Sequence, residues 1–135
     1  MTVASIMTHK VVTVEMDDTL LTINMLFKHV KFHHLLVVEN KKLVGVISDR
    51  DFLRTVSPFL KTVCETTRDR ETLNKRAHQI MNRNPITVYP ETSIETAANL
   101  LLEKNISCLP VVSSHGSIEG IVTWKDILKF YLGSK

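Results

Sequence analysis

The heptapeptide GVISDRD at 45–51 returns at 120–126 as GIVTWKD, 75 positions later in a chain of 135 residues. Both read glycine, two apolar residues, a hydroxyl residue, two variable residues and aspartate. The repetition is wider than the motif. Ile6-Met7 answers Ile80-Met81, Val12-Thr13-Val14 answers Ile86-Thr87-Val88, and LLVV at 35–38 answers LPVV at 109–112, all at an offset of 74. One extra residue therefore enters just before Gly120, where ENKKLV in the first half faces SSHGSIE in the second. A hairpin loop of variable length produces that difference. A chain that repeats itself at a fixed offset is built from two copies of one supersecondary unit, which excludes most folds at once.

The order of elements within each copy follows from local pattern. The β-branched segments VVTV and ITV favour strands. Leu20, Ile23, Phe27 and Val30 recur at helical intervals, as do Ile94, Ala97, Ala98 and Leu101, and Thr92 and Glu95 have capping-box spacing before the second series. LLVV with KLVGVIS, and LPVV with IEGIVT, read as two-stranded hairpins, and DFLRTV and DILKFYL as closing helices. The expected fold is α/β of the α+β kind, with each repeat running strand, helix, strand, strand, helix. The first repeat spans 1–60 and the second 77–135, with 61–76 between them as a linker. A repeat of about 60 residues buries a marginal core alone, so the two are expected to pack their sheets around a pseudo-two-fold axis as one compact module. The linker's charge density marks it as solvated, while Leu73, Ala77 and Ile80 suggest that its end is helical.

Composition narrows the class further. Hydrophobic residues make up 44% of the chain and charged residues 23%, within the ordinary globular range. The formal charge is +3, from 17 basic and 14 acidic residues that are interspersed. Phosphate-bearing small molecules suit that balance, whereas nucleic acid is disfavoured because no basic block or aromatic stacking pattern accompanies it. The two cysteines, Cys64 and Cys108, are too few for a disulfide framework or a four-thiolate zinc site and fit a reducing cytoplasm. No apolar run approaches the length needed to cross a bilayer, and MTVASIMTHK lacks the pattern of a secretory leader. The chain is expected to be cytoplasmic, without a membrane partner.

The motif itself admits two readings. Ser48 with Asp51, and Thr123 with Asp126, have the spacing of a capping box, in which hydroxyl and carboxylate satisfy free N–H groups at a helix start. A cap does not require the glycine, which lets another backbone or a ligand approach the strand. The start of a helix attracts phosphate, a hydroxyl can bond it, and a carboxylate one turn on can accept both hydroxyls of a ribose. Capping and ligand binding are compatible.

On these residues the chain resembles a tandem pair of CBS domains, a Bateman module, in small stand-alone form. The opening IMT, the LPVV strand and both G-h-x-[S/T]-x-x-D motifs carry the resemblance, which runs over essentially all 135 residues. It implies that the pair binds an adenosine derivative (AMP, ADP, ATP, S-adenosylmethionine or a dinucleotide) in the cleft between repeats. Ser48 and Thr123 would hold phosphate, and Asp51 and Asp126 ribose. Adenine would be bound by Thr8, Val12, Phe32 and His33 in one half and Asn82, Ile86, Ile106 and Ser107 in the other, often across repeats. Three positions depart from the family pattern. Leu36 stands where proline is frequent, Asn82 where threonine is frequent, and Trp124 sets a large ring beside the second hydroxyl. The resemblance also implies a homodimer, with Ile127, Leu128, Phe130 and Tyr131 as an apolar helix face that association or the core must cover.

Arg50 and Lys125, each just before the aspartate, can add charge to a phosphate site, and His33 and His34 stand where they can contact phosphate. His29, His33, His34 and His9 raise the question of a metal, but no carboxylate or paired cysteine completes a ligand set. Cys108, in ISCLPVV, reads as packing. No P-loop, nucleophile elbow or acid–base pair is present, so no enzyme is expected. The expected function is a regulatory module that senses an adenine nucleotide, needs no cofactor and transmits occupancy to a regulated partner protein or to a second copy of itself. The alternative is a structural module with degenerate sites that works through dimerisation or protein contact.

Overall fold

The computed structural model describes residues 1–29, 33–56, 67 and 71–133. The expectations attached to Val30, Phe32 and Cys64 lie outside the described residues. In chain order the elements are β1 (Thr13–Glu15), α1 (Leu20–His29), β2 (His34–Glu39), β3 (Lys42–Ser48), α2 (Asp49–Thr55), α3 (Ala77–Ile80), β4 (Asn82–Arg83), α4 (Ile94–Lys104), β5 (Cys108–Val112), β6 (Ile118–Thr123) and α5 (Trp124–Tyr131). Short 3-10 turns occupy Val3–Ser5 and Thr72–Asn74. Both halves therefore carry a helix, a hairpin and a closing helix in the expected order.

One sheet has the order β1-β2-β3-β4, with β1 parallel to β2 and β4 antiparallel to β3. The other pairs β5 with β6. The second half's counterpart of β1 contracts to a single parallel bridge, Val88 beside Val111, which repeats the Val14–Val37 pair of the first half. Pro90 follows two residues later and has no N–H with which to continue the ladder. The hairpins differ where the sequence gains its extra residue. Asn40 and Lys41, both at positive φ, close the first as a two-residue turn. Residues 113–117 close the second, and its register shifts between Val111, opposite Gly120, and Val112, opposite Ile118.

Compactness and sequence repetition do not coincide. One compact unit consists of Met1–Val11, Lys41–Leu43 and Pro85–Lys135, the other of Val12–Asn40 and Val44–Asn84. In the first unit Val3, fully buried, joins Val88, Ile94, Ala97, Leu101, Leu109, Val111, Val122 and Ile127 in one core. Its N–H donates to the Thr92 carbonyl at 2.8 Å, and Ala4 N–H to the Pro90 carbonyl at 3.0 Å. The opening residues of the chain thus complete the core of the second repeat. In the second unit Val14, Leu20, Ile23, Leu35, Val37, Ile47 and Phe52 pack with Ala77 and Met81, the opening residues of the second repeat. Each such aliphatic side chain contributes about 1.5–3 kcal/mol when fully buried.

Two local expectations are corrected. The cap of α4 is Ser93, whose hydroxyl accepts from Thr96 N–H at 3.1 Å, and not Thr92. The Thr92 hydroxyl is taken by Tyr89 N–H at 3.0 Å, which closes the preceding turn. Leu73, Ala77 and Ile80 all pack on one core as their spacing suggests, but no continuous helix carries them. Lys75 and Arg76 are extended there because their segment pairs with residues 18–20: Leu20 N–H donates to Lys75 C=O and Ala77 N–H to Asp18 C=O, both at 2.8 Å. The apolar residues of α5 divide. Ile127 is buried and Phe130 packs on the same core, whereas Leu128 and Tyr131 are more than half exposed.

Candidate functional site

Each motif is a strand-to-helix turn. Ser48 ends β3 in extended conformation and caps α2: its hydroxyl accepts from Asp51 N–H at 3.1 Å, and its own N–H donates to Asp51 Oδ2 at 3.0 Å. Thr123 ends β6 and precedes α5 in the same way, donating its N–H to Asp126 Oδ2 at 2.9 Å, with its hydroxyl 3.2 Å from that oxygen. The reciprocal capping box forms at Ser48, whereas at Thr123 only its carboxylate half forms and the hydroxyl turns to Asp126 Oδ2. A Ser-to-Ala change at such a cap typically costs about 1 kcal/mol.

The glycines answer to a different demand. A Cβ built on Gly120 would stand 2.6 Å from the Thr8 carbonyl oxygen and 3.1 Å from Met7 Sδ. One built on Gly45 would stand 2.5 Å from Met81 Sδ and 2.8 Å from its Cγ. Of the two approaches the sequence allows, backbone or ligand, the glycines admit the Met-Thr and Met-Asn steps that open the repeats. The next residue of each step then reaches the aspartate. The Thr8 hydroxyl donates to Asp126, with distances of 3.2 Å to Oδ1 and 3.4 Å to Oδ2. Asn82 Nδ2 donates to Asp51 Oδ2 at 2.9 Å. Backbone pairing fixes both approaches: Thr8 exchanges hydrogen bonds with Ile121 at 2.8 and 2.9 Å, and Asn82 lies opposite Val46. Glycine and aspartate of one motif thus grip the opening of the other repeat.

The candidate residues sort accordingly. Thr8, Thr123, Asp126, Lys125, Ile86, Ile106 and Ser107 belong to one unit, and Asn82, Ser48, Asp51, Arg50, Val12, His33 and His34 to the other. Arg50, Lys125 and Ser107 are exposed, while Val12, Ile86 and Ile106 are partly buried against the cores of their units. Trp124, the first residue of α5, packs its ring on a core. His33 Nδ1 lies 2.9 Å from Asp49 Oδ2, and Asp49 N–H donates to the His33 carbonyl at 2.8 Å, a pairing the motif alone did not reveal. Burial holds His34 below the ordinary imidazole range; Asp49 and Asp51 oppose that shift and His33 adds to it. Asp126 also borders an open depression of about 420 Å3 with Met1, Ser5, Ile6, Lys129, Phe130 and Gly133. Among the described residues no group of three or more His, Cys, Asp or Glu could hold a metal ion, and no helix is long and apolar enough to cross a membrane.

A twice-repeated strand-to-turn-to-helix motif, gripping the opening of the opposite repeat, defines a tandem module. The chain belongs to the CBS domain family, whose model matches residues 3–58 and 77–133. Its architecture, two repeats of mixed strands and helices, matches solved CBS pairs. CBSX2 of Arabidopsis thaliana, in complex with AMP, superposes with a TM-score of 0.78 at 29% identity, covering 98% of this chain and 96% of that one. The CBS domain pair of protein MJ0100, in complex with 5′-methylthioadenosine and S-adenosyl-L-methionine, gives 0.79 at 27% identity, with 100% and 98% covered. Among curated relatives, an uncharacterised protein of Methanocaldococcus jannaschii is 35% identical over 101 residues, 74% of this chain. The match spans only 36% of that relative's length.

Proposed function

We propose that this chain is a regulatory module that binds an adenosine-containing nucleotide at the Ser48–Asp51 and Thr123–Asp126 turns and passes occupancy to a partner protein or a second copy of itself, without chemical turnover, in the cytoplasm. The observation that carries the reading is the twofold placement of a hydroxyl and a carboxylate at the start of a helix. The solved CBS pairs that match nearly the whole chain, one with AMP and one with S-adenosyl-L-methionine, support it. Phosphate would meet the hydroxyl and the free N–H groups of the turn, and ribose the carboxylate. Arg50 and Lys125 supply positive charge near the phosphate end, and His33 and His34 stand where an imidazole N–H can donate to phosphate. Val12, Ile86 and Ile106 supply apolar surface for the base.

One observation favours the second reading, a structural module with degenerate sites. Both aspartates already have partners within the protein, so capping and the grip on Thr8 and Asn82 account for them without a ligand. Thermal unfolding in the presence of AMP, ADP, ATP, S-adenosylmethionine, NAD and cyclic dinucleotides separates the two. Ligand at about 100 times its Kd adds roughly 2.7 kcal/mol. At about 2–5 °C per kcal/mol for a chain of this size, the midpoint should rise on the order of 5–13 °C for at least one compound. An unmoved midpoint with every compound at millimolar concentration leaves the structural module as the better account.

A further inference from the structure

We propose that the two carboxylates are unequal as ligand sites, that Asp51 is occupied first, and that the residue each carboxylate grips, Asn82 or Thr8, sets this order. The inference rests on the nucleotide-binding reading above. Asn82 bonds Asp51 through Oδ2 alone, the oxygen that also accepts from Ser48 N–H, and Oδ1 of Asp51 accepts from no described residue. Asp126 is committed at both oxygens. Thr8 donates to Oδ1 and lies within reach of Oδ2, which also takes the Thr123 N–H and the Thr123 hydroxyl. A ribose finds Oδ1 of Asp51 with no donor among the described residues, whereas at Asp126 both oxygens already hold donors and the ribose must share Oδ1 with Thr8. A carboxylate oxygen can accept two hydrogen bonds, so the shared site keeps the contact but weakens it, by about tenfold if one charge-assisted bond is forfeited at the lower end of its range.

The difference comes from side-chain reach. The threonine hydroxyl sits close to its backbone and meets the carboxylate broadside, whereas the longer asparagine places its amide against one oxygen. The order should therefore follow the residue and not the repeat. Titration calorimetry with AMP on the full chain tests this, with ATP and S-adenosylmethionine used in turn if AMP gives no heat. In the parent, Asp51→Asn should weaken the tightest binding event by about tenfold or more, and Asp126→Asn should leave it unchanged. Asparagine at either position can still accept the capping N–H, and urea midpoints check that both variants remain folded. In a Thr8→Asn/Asn82→Thr background the order should reverse, so that Asp126→Asn carries the loss. The proposal is overturned if Asp126→Asn removes the tight event in the parent, if both substitutions weaken it alike, or if the exchange leaves the order unchanged. A parent that binds none of the three compounds, nor any other compound of the thermal screen, removes the nucleotide reading itself, and the ordering with it. That result differs from AMP being bound with the two aspartates contributing equally, which removes the ordering alone.

Discussion

Gly120→Ala places a methyl group where the chain has no space, and the surroundings decide its cost. The new carbon would meet the Thr8 carbonyl oxygen at 2.6 Å, well inside the 3.4 Å at which ordinary contact begins. That oxygen cannot swing aside, because it accepts Ile121 N–H at 2.9 Å while Thr8 N–H donates to Ile121 C=O at 2.8 Å. Relief requires the opening segment to move off β6 and lengthen both bonds. Overpacking costs about 1–3 kcal/mol, and a weakened backbone hydrogen bond adds about 0.5–1.5 kcal/mol, so the expected loss is about 2–4 kcal/mol. Gly45→Ala meets only the Met81 side chain, which can change rotamer, and should cost less. Met81→Ala should be better tolerated in that background than in the parent, a coupling that a double-mutant cycle measures. Urea denaturation at constant m reads all of these. A Gly120→Ala midpoint equivalent to within about 0.5 kcal/mol of the parent would refute the grip as the reason for the glycine, as would a larger loss for Gly45→Ala.

Val3 is fully buried in a core otherwise built from residues 88–127, so Val3→Ala should destabilise by about 1–3 kcal/mol despite its place at the start of the chain; a urea midpoint equal to the parent's would show that the opening segment does not belong to that core. His34 has its pKa lowered by burial, so the folded chain holds fewer protons there than the unfolded chain once pH falls below the ordinary value of 6.5. The stabilising contribution of neutral His34 is complete above pH 6.5 and is lost as pH falls from there through the lowered folded value. His34→Gln should therefore lose less stability than the parent between neutral and mildly acidic pH in urea titrations, and parallel losses in the two proteins would contradict the burial argument.

Much of the fold can be read from the sequence because repetition supplies each element twice. The β-branched pattern of VVTV, the hairpin halves and the hydroxyl-to-aspartate spacing all translate into local hydrogen bonds. What pattern does not reveal is where the opening residues of each repeat go. Ile6-Met7-Thr8 has the same local character whether it packs on its own repeat or on the other, and tertiary contacts decide: Val3 in the core of the second repeat, Thr8 paired with Ile121 and the space left at Gly120. The glycine was legible as a point of close approach; that a Met-Thr step makes the approach was not. The pairing of Lys75–Arg76 with residues 18–20, which breaks an expected helix, is likewise a tertiary event with no periodic signature. Among the candidate site residues, the aspartates and hydroxyls are recoverable from spacing. Thr8 and Asn82 came through family resemblance as base contacts, and their bonds to the carboxylates emerge only in three dimensions.

The account holds that the repeated aspartates serve ligand as well as fold, and one variant addresses both uses together. Asp51→Asn/Asp126→Asn keeps an acceptor at each cap and loses both charges. Its stability should fall by about 1–3 kcal/mol, from two lost helix-dipole interactions of about 0.5 kcal/mol each and the weakened bonds to Thr8 and Asn82. Loss of charge-assisted ribose bonds, worth about 1.5–3 kcal/mol, should weaken adenosine-ligand binding by roughly 10- to 150-fold. Calorimetric titration of parent and variant with the compound that most raises the parent's unfolding temperature, beside urea denaturation of both, makes the comparison. A near-native fold with binding weakened at least tenfold is the predicted result; unchanged binding with stability alone reduced would contradict it and leave the two heptapeptides as helix caps.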